Sequence, residues 1–297
     1  MGRVLLVSRL AARDLRRRPA ETALLLIAIT AAATTLTLGL LLHGVTNKPY
    51  QSTREATAGP DVVASVAPPP FGGQPADLAG LKALADAPGV VGRSGPYPYT
   101  QSKVNAHGIT ATAWTQGRDT APASVDQPKL TEGSWIRDGG VVVEASFADA
   151  LGISAGDRIT LNRRSFRVAG VAVSAATTPY PKVCYAPCWF GTAADAAERK
   201  DRNDGVTGPP PSQAGPPANG FRLGPTGLVW VTESDVGGLV PPESFAYVLN
   251  LKLADPAAAP AFVNAQVSGG LDGPFPVTWR DILEVHDKNF ENKQDAC

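Results

Sequence analysis

The stretch Glu132–Val173, EGSWIRDGGVVVEASFADALGISAGDRITLNRRSFRVAGVAV, carries the clearest local structure in the chain. Val141 to Val143 reads as a buried strand, because consecutive β-branched residues suit a strand covered on both faces. Ala145 to Leu151 follows as a short helix with Phe147, Ala148 and Leu151 on one side. Gly152 supplies its stop, since glycine takes the left-handed conformation that ends a helix. Gly156-Asp157 then turns the chain into Arg158 to Leu161, which alternates polar and apolar residues, and the Asn162 to Ser165 turn leads into Phe166 to Val173. That pair predicts a hairpin.

Upstream of this block, Asp61 to Val66 (DVVASV) predicts a strand closed by Pro68-Pro69-Pro70. Asp77 can cap a helix running through Leu78, Leu81, Lys82 and Leu84 to a stop at Pro88-Gly89. Val90 and Val91 open an extended stretch, and Lys103 to Trp114 continues in β-type residues. Downstream, Asp204 to Gly220 is so rich in Pro and Gly that it cannot bury enough apolar surface to offset its ordering entropy, and it reads as a mobile loop. Leu228 to Thr232 and Phe245 to Leu253 predict strands, and Pro256 to Val267 a helix. Near the end, Thr278 and Asp281 resemble a capping pair, and Trp279, Ile282, Leu283, His286 and Phe290 fall on one helical stripe.

These elements predict an α+β fold, with an α/β lobe of about residues 51–121 plus 245–277 and an inserted, mainly β lobe of about 130–232. Residues 278–297 are expected to form a stalk-like helix. The Phe245 to Leu253 strand is expected to pair in the same sheet as Asp61 to Val66.

At the other end, Thr22 to Leu42, TALLLIAITAAATTLTLGLLL, holds no charge. A helix of about 20 such residues crosses the roughly 30 Å hydrocarbon core of a bilayer. Residues 21–45 are therefore expected to be a transmembrane helix in the cell membrane. Six arginines, Arg3, Arg9, Arg13, Arg16, Arg17 and Arg18, stand before it against Asp14, so the N-terminus is expected in the cytoplasm and residues 46–277 outside it. Arg9, Arg13, Arg16 and Arg17 recur at helical intervals until Pro19, making residues 1–20 a basic amphipathic segment suited to anionic lipid headgroups. The chain has a formal net charge of zero, so the +5 of its first twenty residues leaves the remainder mildly acidic. That excludes nucleic acid as an expected partner.

Candidate chemistry is sparse. Cysteine occurs only as Cys184, Cys188 and Cys297 and histidine only as His43, His107 and His286, in no spacing that a structural zinc site needs. No metal or other cofactor is expected. No G-x-x-x-x-G-K-[ST] loop is present to cradle a nucleotide. Gly152-Ile153-Ser154-Ala155-Gly156 matches G-x-S-x-G, but a nucleophile elbow needs a strand before the serine and a helix after it, and here that order is reversed. The pairs Glu233/Asp235 and Asp281/Glu284 sit beside helix starts, where capping accounts for them. The five tryptophans are scattered without a repeat and read as packing residues. Cys184 and Cys188, four apart across a Pro-containing turn in an oxidising compartment, are a candidate disulfide.

Taken together, the Arg-rich RDLRRRPAETALLLIAI approach to the apolar run and the Glu132–Val173 block resemble the FtsX-like permeases of ABC transporters. The resemblance is to their first transmembrane helix and MacB-like periplasmic core domain. In the block, Glu144 to Leu151 followed by Gly152, Gly156 and Asp157 is similar to the family's strand, short helix ending in Leu-Gly, and Gly-Asp opening a hairpin. The resemblance implies a non-enzymatic permease subunit that couples a separate cytoplasmic ABC ATPase to conformational change outside the cell, and a dimer of permeases. Family permeases carry further membrane helices after this domain, so the chain is expected to be a truncated or split form. A single-span external binding or scaffolding module is the alternative, and a secreted hydrolase acting through Ser154 a distant third.

Overall fold

The structure, a computed structural model, describes residues 19–46, 49–68, 74–181, 226–266 and 274–284. The chain divides into two compact units, Met1–Pro49 and Tyr50–Cys297.

The first unit contains helix α1, Pro19–Thr46, 28 residues long. Pro19 occupies its first position, where the missing amide hydrogen costs no intrahelical bond. Side chains are described at residues 20, 23, 24 and 26–37, and all of them are exposed. Leu24, Leu26, Ile27, Ile29 and Leu36 are each more than half exposed, so the helix is apolar around its circumference rather than along one stripe. The hydroxyls of Thr30, Thr34, Thr35 and Thr37 donate to the carbonyls of Leu26, Thr30, Ala31 and Ala33 at 2.6–2.9 Å, leaving little polarity on that surface. Among the described residues, no helix is long and apolar enough to cross a membrane. Arg9, Arg13, Arg16, Arg17 and Arg18 lie outside the described residues.

The second unit opens within α2, Pro49–Ala56, at Tyr50 and is built on a mixed sheet. Its strands are β1 (Val62–Val66), β2 (Val90–Ala106), β3 (Ile109–Arg118), β4 (Lys129–Gly133), β5 (Gly140–Glu144), β6 (Arg158–Leu161), β7 (Arg164–Val173), β8 (Thr226–Thr232), β9 (Ala246–Leu253) and β10 (Phe275–Thr278). Among the described residues they form one sheet in the order β10-β1-β9-β2-β3-β8-β5-β7-β4, with β6 bridging β2 and β7. Most pairs are antiparallel; β3–β8 and β5–β7 are parallel.

That bridge closes a ring, β2–β3–β8–β5–β7–β6 and back to β2. Val104, Val143, Ile159, Leu161, Phe166 and Val229 bury their side chains in one cluster within it. Of the remaining strands, β4 flanks the ring on β7, while β9, β1 and β10 extend as a wing from the first half of β2, which pairs with β9 from Val90 to Tyr99. The wing is covered by α3 (Ala79–Ala85) and α6 (Ala259–Gln266), with Leu81, Leu84 and Ala259 packed against Val62, Ala64 and Leu251. A third cluster holds Tyr97, Trp114 and Trp230 from the sheet together with Tyr50 of α2 and Ile282 near the end of the described chain.

The strands of the Arg158 to Val173 hairpin pair as expected, Leu161 facing Arg164 across Asn162 and Arg163, both at positive φ. The extended run expected from Lys103 to Trp114 is instead broken at its middle. His107 and Gly108 take φ of 51° and 79°, a two-residue primed turn that folds β2 onto β3 with Ala106 opposite Ile109. Strand β9 pairs with β1 from Tyr247–Val66 to Leu251–Val62.

Helix α4, Ala145–Leu151, shows how locally determined the ring is. Glu144 caps it, its carboxylate accepting from Ser146 and Phe147 at 3.0 Å, and Gly152 closes it in the left-handed conformation at φ 64°. Phe147 lies directly over Gly227 of β8; a Cβ there would fall 2.3–2.4 Å from the ring. Burial pushes the Glu144 carboxyl above its ordinary range, against the opposing pull of the amides of Ser146, Phe147 and Tyr180.

Two predictions follow from α4. Gly227→Ala should destabilise the full chain in detergent by about 1–3 kcal/mol in thermal or denaturant unfolding, because neither the ring nor the strand can yield without repacking; a change within about 0.5 kcal/mol would mean the contact is soft. The raised Glu144 carboxyl makes the native state bind more protons than the unfolded chain, so its contribution is favourable below the ordinary glutamate value and is lost as pH rises through the folded-state value. Measured relative to Glu144→Gln, the wild type should therefore lose stability as pH rises from the ordinary glutamate range toward neutrality. A difference that stays flat, or rises, across that range would contradict the assignment.

Candidate functional site

The incoming and outgoing segments of the second unit meet at Asp61, the residue just before β1. Its side chain is fully buried. Oδ1 pairs with the Arg54 guanidinium from α2 and lies 3.5 Å from the Lys252 ammonium of β9. Oδ2 accepts from the Leu253 amide at 2.8 Å. The Asp61 backbone completes the junction: its amide donates to the Leu251 carbonyl at 2.8 Å, and its carbonyl accepts from the Trp279 amide at 3.0 Å. Lys252 also donates to the Gly59 carbonyl at 2.8 Å. The Arg54 guanidinium sits 4.7 Å from the Trp279 ring centre, within reach of its negative π face.

Beyond Trp279 the chain turns helical over residues 279–284. Thr278 and Asp281 form the expected reciprocal cap: the Thr278 amide and hydroxyl both donate to Asp281 Oδ2 at 2.7 Å, and the Asp281 amide donates to Thr278 Oγ1 at 3.3 Å. Ile282 is buried, with Trp279 and Leu283 packed against the same cluster. His286 and Phe290 of the predicted stripe lie outside the described residues.

A second buried polar centre joins wing to ring. Arg118, at the end of β3, pairs with the Asp126 carboxylate and donates to the Asp126 carbonyl at 2.9 Å. Asp126 also accepts from Ser174 at 2.7 Å and from Asn250 of β9 at 3.3 Å, while its own amide donates to the Ala58 carbonyl after α2 at 3.0 Å. The Arg118 guanidinium stacks 4.1 Å from the Tyr97 ring centre. Burial pushes the Asp126 carboxyl upward against the opposing Arg118 charge and Ser174 hydroxyl, and it likewise raises the Tyr50 phenol. A buried pair of this kind holds its neighbours in place mainly through the cost of leaving either charge alone.

The sequence-predicted positions fare unevenly. Ser154 is exposed in the turn between α4 and β6, its amide donating to Asp157 Oδ2 at 2.8 Å, with helix before and strand after rather than the order of a nucleophile elbow. Asp235 accepts from Gly139 and Thr232 and pairs with Arg164 at 3.1 Å, tying helix α5 (Glu233–Gly237) to the β6–β7 hairpin. Trp114 and Trp230 are buried packing residues. Cys184, Cys188 and the Asp204 to Gly220 stretch lie outside the described residues. Arg54, Asp61, Lys252, Arg118 and Asp126 carried no motif, and only the position of Asp61 at a strand start marked any of them.

A sequence model of the MacB-like periplasmic core domain matches residues 22–264. No curated protein sequence matches significantly. Among solved structures, the periplasmic region of MacB from Actinobacillus actinomycetemcomitans aligns with a TM-score of 0.39 at 13% identity, over 80% of this chain and 98% of that one. The extracellular domain of the noncanonic ABC-type transporter YknZ from Gram-positive bacteria aligns with a TM-score of 0.35 at 9% identity, over 68% and 88%. With the family match spanning most of its length, the chain belongs to the MacB-like periplasmic core domain family of ABC-type transporter permeases.

Proposed function

We propose that the chain works as a non-enzymatic permease component of an ABC-type transporter, with α1 spanning the cell membrane, the N-terminus in the cytoplasm and the Tyr50–Cys297 unit outside. The observation that carries this reading is the family match over residues 22–264, and the uncharged Thr22 to Leu42 run in the sequence supports the span. Such a helix finds in lipid the apolar surroundings that water denies it. The six arginines before it favour the cytoplasmic face and anionic lipid.

In this reading a separate cytoplasmic ABC ATPase drives the membrane helices, two permeases act as a dimer, and the external domain receives the motion through its two end segments. The membrane-proximal lobe would comprise about residues 51–121 plus 245–277 and the inserted, distal lobe about 130–232, with β2 and β3 of the first lobe reaching into the ring. Support for two lobes comes from the separate wing and ring clusters, joined along β2. The stalk role of residues 278–297 is supported by the capped start at Thr278. Absence of catalysis is favoured by the turn context of Ser154.

A periplasmic-type reporter fused after Val45 should be active outside the cytoplasm, and the chain purified from native membranes should bring an ABC ATPase with it. Cytoplasmic reporter activity would reject the orientation; correct orientation with no ATPase recovered would favour a binding or scaffolding module instead. Cys184 and Cys188 are proposed to form a disulfide in that external compartment. Mass spectrometry of non-reduced peptides spanning Lys182 to Phe190 should show the bridge, and two freely alkylatable thiols in envelope material would reject it.

A further inference from the structure

The incoming and outgoing strands of the domain are hydrogen-bonded neighbours. Strand β1 pairs with β10 in antiparallel register from Val62–Thr278 to Ser65–Phe275. The chain enters β1 at Val62 and leaves β10 at Thr278, so both free ends emerge from the same end of the ladder. A load that separates those ends meets the Val62–Thr278 pair first and then each following pair in turn. Antiparallel strands loaded in this way open like a zipper, one pair at a time, rather than shearing with all bonds loaded together.

The Arg54, Asp61 and Trp279 contacts stand at the opening end of that zipper. The bond from the Trp279 amide to the Asp61 carbonyl extends the ladder one step beyond Val62–Thr278. Arg54 bridges the two sides, its guanidinium bonded to the Asp61 carboxylate and stacked on the Trp279 ring. A further bond from Trp279 Nε1 to the Pro256 carbonyl at 3.3 Å holds the ring in place. Lys252 and the Leu253 amide fix the same carboxylate to β9, the strand on the other side of β1.

We infer that Arg54, Asp61 and Trp279 form a latch that makes α2 and the 279–284 helix leave the domain as one piece and, when open, lets β10 peel from β1 without unfolding the ring. The latch is a positioning device, built from one cation shared between a buried carboxylate and an aromatic face. Charge-assisted bonds of this kind are stronger than neutral ones, which suits the position where a zipper would start. Its relevance to transport rests on the proposed membrane-directed role of both segments, whereas its existence as a latch does not.

Hydrogen exchange read by mass spectrometry on the full chain in detergent tests it. In Asp61→Asn and Arg54→Gln, the amides of Phe275, Val277 and Trp279 should exchange about tenfold faster or more, while those of Val141 to Val143 in β5 keep wild-type protection. Arg54→Lys, which retains charge but not the planar stacking group and should fold, is expected to fall between the two. Unchanged exchange at 275–279 in all three variants would overturn the latch, as would equal acceleration at β5, which would mark a purely global loss of stability. Neither result bears on reporter orientation after Val45 or on ATPase recovery, so the permease reading stands or falls separately.

Discussion

Strand β1 is the piece on which the external domain depends, because it is hydrogen-bonded on both sides by chain from the far end of the sequence. Its five residues, Val62 to Val66, are all buried, with β9 on one flank and β10 on the other. Closing so long a loop costs entropy that grows only slowly with its length, so the penalty is set once and then offset by burial. Val62, Ala64 and Val66 pack beneath α3 and α6 on one face, and Val63 joins the cluster containing Tyr50 and Ile282 on the other. Asp61 adds the polar part of the same constraint, bringing its carboxylate to an amide 192 positions away.

The long strand β2 carries that constraint into the rest of the domain. Its first half belongs to the wing through β9, and its second half belongs to the ring through β3 and β6. The strand is common to both, and the Arg118–Asp126 centre braces the same junction from the side. From α2 and residues 279–284 the chain is therefore connected to the ring by continuous covalent and hydrogen-bonded contacts.

Much of the ring was legible in the sequence because its signals are local. The Val141–Val143 run, the Phe147/Ala148/Leu151 stripe, the Gly152 stop and the alternation before Asn162 each act within a few residues. The His107-Gly108 turn was also local, yet it was hidden inside a run of β-type residues that reads equally well as one strand. Strand β10 was obscured by Pro276, which argues against a central strand but is tolerated at an edge, where β10 lies. The polar junctions were not legible at all. Arg54 and Asp61 are near each other in sequence, but Lys252 and Trp279 reach them, and Asn250 reaches Asp126, only through sheet order, and no spacing rule encodes that.

The central claim is that both end segments leave the domain from one root. With Cys184, Cys188 and Cys297 replaced by serine, spin labels at Glu55→Cys in α2 and Arg280→Cys in the helix after β10, both exposed positions, allow their separation to be measured by pulsed electron resonance with the full chain in a lipid bilayer. The account predicts a single, narrow, short-distance population set by the β1–β10 pair and the Asp61 junction. A broad or long-distance distribution in this labelled full-length chain would contradict it.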